Sequence, residues 1–246
     1  MNLLFSRNFI ILETVASTNE YISNTIDNDF YKNSVVFANY QKNGKGNRGK
    51  KWESEAGKNI LMSCAFKPYL KLNQQFRLNV FISVALYDFL DKHFKDLISI
   101  KWPNDILINN SKIGGILIEN KISQQDILYS IIGIGINVNQ VHFHHYNPPA
   151  TSFCIEGGIS YDIAVLREEL LNSINNVYIQ FLEDYSSLFQ KYINVLYRKG
   201  QVSEFIIGEK KVSGEIINVT EEGKLIIALQ DHSLQLYSSG DLQYIF

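Results

Sequence analysis

From Gln41 to Trp52 the chain reads Gln41-Lys42-Asn43-Gly44-Lys45-Gly46-Asn47-Arg48-Gly49-Lys50-Lys51-Trp52, with five cations and three glycines. Glycine lets a backbone approach a ligand closely and adopt positive φ. Successive backbone N–H groups set among Lys and Arg make a concavity that attracts anions. The chemistry open to this stretch is therefore phosphate or carboxylate binding, and a solvated basic loop is the plain alternative. Two known patterns match it. Gly44-x-Gly46-x-x-Gly49 fits a dinucleotide fingerprint, and Gly44-x-x-x-x-Gly49-Lys50 fits most of a P-loop. Both require a helix that opens directly after the glycines. Here Lys51-Trp52-Glu53-Ser54 leads past Gly57 to the strand-like run Asn59–Phe66, and Lys51 stands where a P-loop needs Ser or Thr. Neither pattern is expected to work in its usual way.

A second stretch is Lys101-Trp102-Pro103-Asn104-Asp105-Ile106, followed by Lys112-Ile113-Gly114-Gly115-Ile116-Leu117-Ile118-Glu119. Pro-Asn-Asp interrupts a strand and places polar side chains at a sheet end, where loops hold ligands. Gly114-Gly115 leaves a flat patch against which a ligand can lie. Lys112 reads equally as a solvated hairpin lysine, and Asn104-Asp105 as plain turn chemistry. A third stretch, Gly133-Ile134-Gly135-Ile136-Asn137, repeats the strand glycines and adds an amide able to read a polar edge; its plain reading is a bulge and a turn.

The elements that must position these residues follow from periodicity. Phe9–Leu12 reads as a first strand. Ser17-Thr18-Asn19-Glu20 reads as a capping box opening a helix over 18–26. Strands are expected over 35–40 and 60–66, then a long helix over 73–94. Ile98–Trp102, Ile106–Ile108, Ile113–Ile118 and Ile127–Val138 read as further strands, with an Asn-rich hairpin turn at 109–111. The His142, His144, His145 segment reads as a polar loop. Ile163, Leu166, Leu170, Ile174, Val177 and Phe181 form a helical stripe, and a second helix runs over 185–197. From about Gly200 short strands at regular spacing predict a small antiparallel barrel. The expected fold class is α+β: a mixed sheet with helices packed on it over residues 1–198, and a C-terminal SH3-like barrel over 199–246.

The 246 residues carry a net charge of −2 and are 46% hydrophobic, enough for a sizeable core. That balance speaks against a protein built to coat nucleic acid, so the basic stretch suits a small anion better than a polyanion. Cys64 and Cys154 read as reduced core residues of a cytoplasmic protein. No apolar run reaches a membrane-spanning length.

The three stretches together resemble the biotin protein ligases, the biotin–[acetyl-CoA-carboxylase] ligases. The glycine loop resembles their Gly-Arg-Gly-Arg-x-Gly signature, and Lys101–Asp105 reproduces Lys-Trp-Pro-Asn-Asp. Lys112–Glu119 is similar to Lys-(Ile/Leu)-x-Gly-Ile-Leu-(Val/Ile)-Glu, Gly133–Asn137 to Gly-x-Gly-Ile-Asn, and Ser17-Thr18-Asn19 to the Ser-Thr-Asn of the family's first helix. Five motifs in order span nearly the whole chain.

The resemblance implies biotin and ATP as substrates, with Mg²⁺ carried by ATP. It implies that Ser17, Thr18, Asn19 and Gln41 bind the ureido ring, and that Gly114, Gly115 and Leu117 wall the biotin. Lys45, Gly46, Asn47 and Arg48 would close over carboxylate and phosphates. Lys112 and Arg48 would be catalytic, with Lys112 touching both carboxylate and α-phosphate. Trp52 would pack near the adenine, Gly135 and Asn137 would bind nucleotide, and Asn104 and Asp105 would lie near ribose or magnesium. Lys45 and Asn47 depart from the family's arginines, which alters phosphate contacts. The implied acceptor is a lysine of a biotin carboxyl carrier protein. A lipoate or octanoate ligase is the alternative enzyme, and a non-enzymatic biotin-binding or DNA-binding regulator the alternative of another class. The family's repressors carry an N-terminal DNA-binding domain; Ser17 lies too near Met1 for one, so no DNA binding is expected. The protein is expected to be a monomer or homodimer, with no membrane contact.

Overall fold

The structure is a computed structural model that describes residues 3–5, 9–25 and 33–246. Its main sheet has seven strands. They are β1 (Ile10–Val15), β2 (Ser34–Gln41), β3 (Asn59–Phe66), β4 (Ile98–Lys101), β5 (Asp105–Ile108), β6 (Ser111–Ser123) and β7 (Asp126–Asn137), in the order β1-β2-β3-β7-β6-β5-β4. Only the β1–β2 pair is parallel; the others are antiparallel, so the sheet is mixed as expected. Alternate residues of these Val/Ile-rich strands serve opposite faces. Ile60, Met62, Cys64 and Phe66 of β3 join the main core. That core is covered by α2 (Phe76–Asp91), α4 (Ile163–Glu183) and α5 (Tyr185–Asn194). On the other face α1 (Thr18–Thr25) seats Ile22 against Val36, Ala65 and Ile131.

Several boundaries differ from the sequence reading. The first helix is described over Thr18–Thr25, and its expected last residue, Ile26, lies outside the described residues. The long helix opens at Phe76 rather than Asn73. Leu70 and Leu72 are first drawn into hydrogen bonds with Ile127 and Gln125, and Lys71 pairs with Asp126 at 2.6 Å. Strand β6 runs five residues past Ile118, because β7 pairs with it out to Ser123–Asp126 even where its side chains are exposed. A short helix α3 (Phe153–Gly157), capped by Ser152, is too brief to show periodicity.

The C-terminal sheet holds β8 (Val202–Ile207), β9 (Lys210–Val219), β10 (Leu225–Leu229), β11 (Leu234–Tyr237) and β12 (Leu242–Tyr244), in the order β11-β10-β9-β8-β12. It is antiparallel throughout, as an SH3-like unit would be, but β11 and β12 do not pair and no barrel closes. It docks against the start of α2 and the turn after β4. The Trp102 indole donates to the Gly223 carbonyl at 3.0 Å, Phe76 packs against Gly223, where φ is +91°, and Arg77 meets Glu221 at 3.3 Å. Trp102 is 2% exposed and serves as a core aromatic.

Candidate active site

On the α1 face of the sheet, strand register sets small residues side by side. One row runs Ala38–Leu61–Gly135–Gly115–Asp105, and the next runs Val36–Ser63–Gly133–Leu117. Three adjacent glycines leave a depression where other strands would carry side chains. The cleft above it holds about 460 Å³ of empty space, its open mouth included.

The indole of Trp52 forms one side of this cleft. A side chain at Gly135 would meet its Cε2 at 2.4 Å, and one at Gly115 its Cζ3 at 3.2 Å, so the ring lies on the glycine pair. Trp52 is delivered by the glycine-rich strap. Its N–H donates to the Gly44 carbonyl at 2.9 Å, the Gly46 N–H donates to the Lys50 carbonyl at 2.7 Å, and Lys45 bridges Lys51. Between them a 3-10 turn covers Asn47–Gly49. No helix follows the glycines, so both nucleotide patterns in the strap are accidental.

The inner end of the cleft is a closed set of hydrogen bonds. The backbone and hydroxyl of Thr18 both donate to Gln41 Oε1, at 2.7 and 3.0 Å. Asn19 Nδ2 donates to Glu119 Oε2 at 2.6 Å. Ser63 Oγ, fully buried, lies 2.6 Å from Thr18 Oγ1 and 2.5 Å from Asn19 Oδ1. Asn19 Oδ1 sits where a side chain at Gly133 would stand. With its oxygen occupied twice, Gln41 keeps Nε2 as its free donor group.

The mouth carries charge. Lys112 Nζ lies 2.5 Å from Asp105 Oδ1, and Lys101 Nζ lies 3.0 Å from Asp105 Oδ2. Burial pushes the Asp105 carboxyl upward, but Lys112 and then Lys101 outweigh it and hold the group below its ordinary range. Lys112 also stands 5.6 Å from the centroid of a Trp52 ring. Lys45 reaches Glu20 at 3.2 Å, both about half exposed, a pair worth little in stability.

Of the residues expected at the site, Ser17, Thr18, Asn19, Gln41, Lys45, Gly46, Asn47, Trp52, Asn104, Lys112, Gly115, Leu117 and Gly135 line this one cleft. Four others stand elsewhere. Gly114 faces the opposite side, toward Gly135 O and Ile106, because neighbouring residues of a strand alternate. Asp105 sits behind Lys112, with both oxygens paired. Asn137 is 4% exposed and donates to the Thr151 carbonyl at 2.9 Å. Thr151 in turn donates its N–H to the Lys112 carbonyl at 2.9 Å, so Asn137 braces the strand that carries the lysine. Arg48 adopts left-handed φ of 58° and turns its guanidinium into the place a side chain at Gly240 would fill.

Ile116, Gly133 and Ile134, from the second and third stretches, also line the cleft, as does Met62; Met62 and Ser63, which joins the inner end, carry no motif in the sequence. Ser63 had a signal, being one of few polar residues inside the apolar run 59–66. The loop after β7 is tied to the strap through Glu53, which accepts from Tyr146 at 2.5 Å and lies 3.5 Å from His144. Burial, then Glu53, pushes the Tyr146 hydroxyl up to about 12.

Such a cleft suits a small molecule with hydrogen-bonding groups at one end and negative charge at the other. Residues 11–137 match the sequence profile of the Biotin/lipoate A/B protein ligase family, and the chain belongs to that family. It is 28% identical over 238 residues to "Bifunctional ligase/repressor BirA" of Escherichia coli, covering 94% of this chain and 72% of that protein. It is 34% identical over 105 residues to "Biotin--[acetyl-CoA-carboxylase] ligase" of Paracoccus denitrificans, 42% of this chain and 43% of that one. The biotin protein ligase of Aquifex aeolicus, solved in complex with biotin and ATP, superposes with a TM-score of 0.77 at 24% identity, covering 98% of this chain and all of that one.

Proposed function

We propose that this protein is an ATP-dependent biotin–protein ligase, which activates biotin as biotinyl-5′-adenylate and passes it to a lysine of a biotin carboxyl carrier protein. The observation that carries the reading is the inner end of the cleft, where Thr18, Asn19, Gln41 and Ser63 form one hydrogen-bonded set. A ureido ring can pair with such groups. The dithiolane of lipoate and the chain of octanoate offer no such partner, and would leave the free Gln41 Nε2 donor unmatched, at roughly 1–3 kcal/mol if it is buried beneath them.

In the first step a biotin carboxylate oxygen attacks the α-phosphorus of ATP, and the bond to the β-phosphate oxygen breaks to release pyrophosphate. Lys112, with Asp105 behind it, supplies positive charge where the phosphoryl oxygens gain negative charge. From the strap, the Lys45 ammonium would face the same anion, with Gly46 and Asn47 lining the cleft beside it. The flat side of the cleft, made by Gly115, Gly135 and Trp52, takes the apolar faces of the ligands. Mg²⁺, carried in with ATP, would offset the phosphate charge.

In the second step a neutral lysine amine of the carrier attacks the adenylate carbonyl, an amide forms and AMP leaves. That amine has an ordinary pKa of about 10.4 and must lose a proton first. Residues 1–198 act as the catalytic unit and 199–246 as the C-terminal unit. The protein is assigned to the cytoplasm, as a monomer or homodimer.

Ligand-dependent ATP–pyrophosphate exchange with biotin, lipoate and octanoate in parallel tests the reading. Exchange with biotin alone is expected. Exchange with lipoate or octanoate instead would move the substrate to the other branch of the family.

A further inference from the structure

Lys101 has no part in the scheme above, yet it is one of the least exposed lysines near the cleft. Its side chain is 14% exposed and that of Asp105 15%. The two are register partners on β4 and β5. The Lys101 ammonium holds Asp105 Oδ2 at 3.0 Å while Lys112 holds Oδ1 at 2.5 Å. From the C-terminal sheet, Tyr244 lies under Lys101, its ring centroid 5.1 Å from Nζ.

A second lysine on an already paired carboxylate is costly to bury, and one carboxylate cannot neutralise both. The cluster therefore keeps one net positive charge. Asp105 is pinned from its far side and cannot wrap both oxygens around Lys112. Lys112 spends one N–H on Oδ1 and keeps two for the cleft. Without Lys101, an Asp105–Lys112 pair would be neutral, and moving Lys112 onto a ligand would expose an unpaired buried carboxylate.

We propose that Lys101 is a positioning residue for the adenylation step: it retains one oxygen of Asp105, so that Lys112 can leave the other and turn to the phosphoryl oxygens. Tyr244, covering the Lys101 ammonium with its ring face, brings the C-terminal sheet into the same arrangement. This inference rests on the adenylation reading.

The test compares the full-length wild type with Lys101→Met, Lys101→Gln, Lys101→Arg and the Lys101→Met/Asp105→Asn double variant, with thermal melts to establish that each is folded. ATP binding is measured by calorimetry, and KM for each substrate by biotin-dependent pyrophosphate exchange. Lys101→Met and Lys101→Gln should weaken ATP binding about tenfold and raise KM for ATP alike, with KM for biotin within about threefold. Lys101→Arg should restore most of the loss. The double variant should outperform Lys101→Met, because a neutral amide no longer holds Lys112. Unchanged ATP binding in the neutral variants overturns the proposal. So does an equal rise in both KM values, or a double variant worse than the single, since either marks a merely structural lysine. If the wild type shows no biotin-dependent exchange, the adenylation reading falls by itself. ATP calorimetry then still decides Lys101, with equal affinity of wild type and Lys101→Met counting against it.

Discussion

Trp52 and Gly135 are in direct contact, the indole of one resting on the bare backbone of the other, so that a single added methyl would come 2.4 Å from Cε2 of the ring. The strap and the sheet therefore meet at a position that tolerates no side chain. Gly135→Ala should displace Trp52 and cost about 1–3 kcal/mol of stability, together with most of the ATP–pyrophosphate exchange. Thermal unfolding checks it, and the Gly135→Ala/Trp52→Ala double variant should regain stability but not activity.

Lys112→Ala removes the ammonium at the cleft mouth while leaving Asp105 paired with Lys101. Adenylate formation should fall by about 10²–10³-fold, with a cooperative melt retained. Turnover equal to wild type would take Lys112 out of the mechanism.

Ser63 is buried in a place where it can serve only Thr18 and Asn19. Its loss, in Ser63→Ala, removes about 1 kcal/mol of hydrogen bonding and should raise KM for biotin about fivefold with KM for ATP nearly unchanged. An equal rise in both would mean that Ser63 supports the sheet rather than the biotin end.

Asp105 titrates below its ordinary value of 3.8 in the folded protein. Between those two values the unfolded chain binds a proton that the folded chain does not, so stability rises with pH in that window. Its contribution is fully present above the ordinary value and is lost as pH falls through the folded one. Denaturant midpoints followed from about pH 4 down to about pH 2 should drop less steeply in Asp105→Asn than in wild type.

Gly223 holds φ of +91° with Phe76 against its Cα and Trp102 on its carbonyl. Gly223→Ala should destabilise the docking of the C-terminal sheet by about 1–3 kcal/mol. Limited proteolysis near Gly200 would show that loosening as faster cleavage.

Much of this was legible in the linear chain. The strands β2, β3, β5, β7 and β8 and the helices α4 and α5 follow from the alternation or 3.6-residue spacing of their apolar residues, because that spacing is what one buried face demands. The glycine motifs, Lys112, Gln41 and the Ser17–Asn19 helix start mark the cleft because their types are poor choices for a core and good ones for a ligand. The identity of the residue at each of these positions, and hence the family resemblance, belongs to the sequence alone.

What the tertiary structure decided is which side each residue serves and what it touches. Gly114 and Gly115 are indistinguishable in a motif, yet strand alternation sends only Gly115 into the cleft. Ser63 becomes a site residue because register sets it beside Gly133, seventy positions along the chain. Asp105 and Asn137 look like ligand contacts in a local reading, and become braces for Lys112 through partners on other strands and on the 150–151 loop. The C-terminal strands read as a closing barrel, but closure depends on whether β11 and β12 meet across the unit, and they do not. The physical reason is the same in each case. Spacing along the chain reports the local demands of burial and turns, whereas hydrogen-bond partners, shared charges and ring contacts are set between segments far apart in sequence.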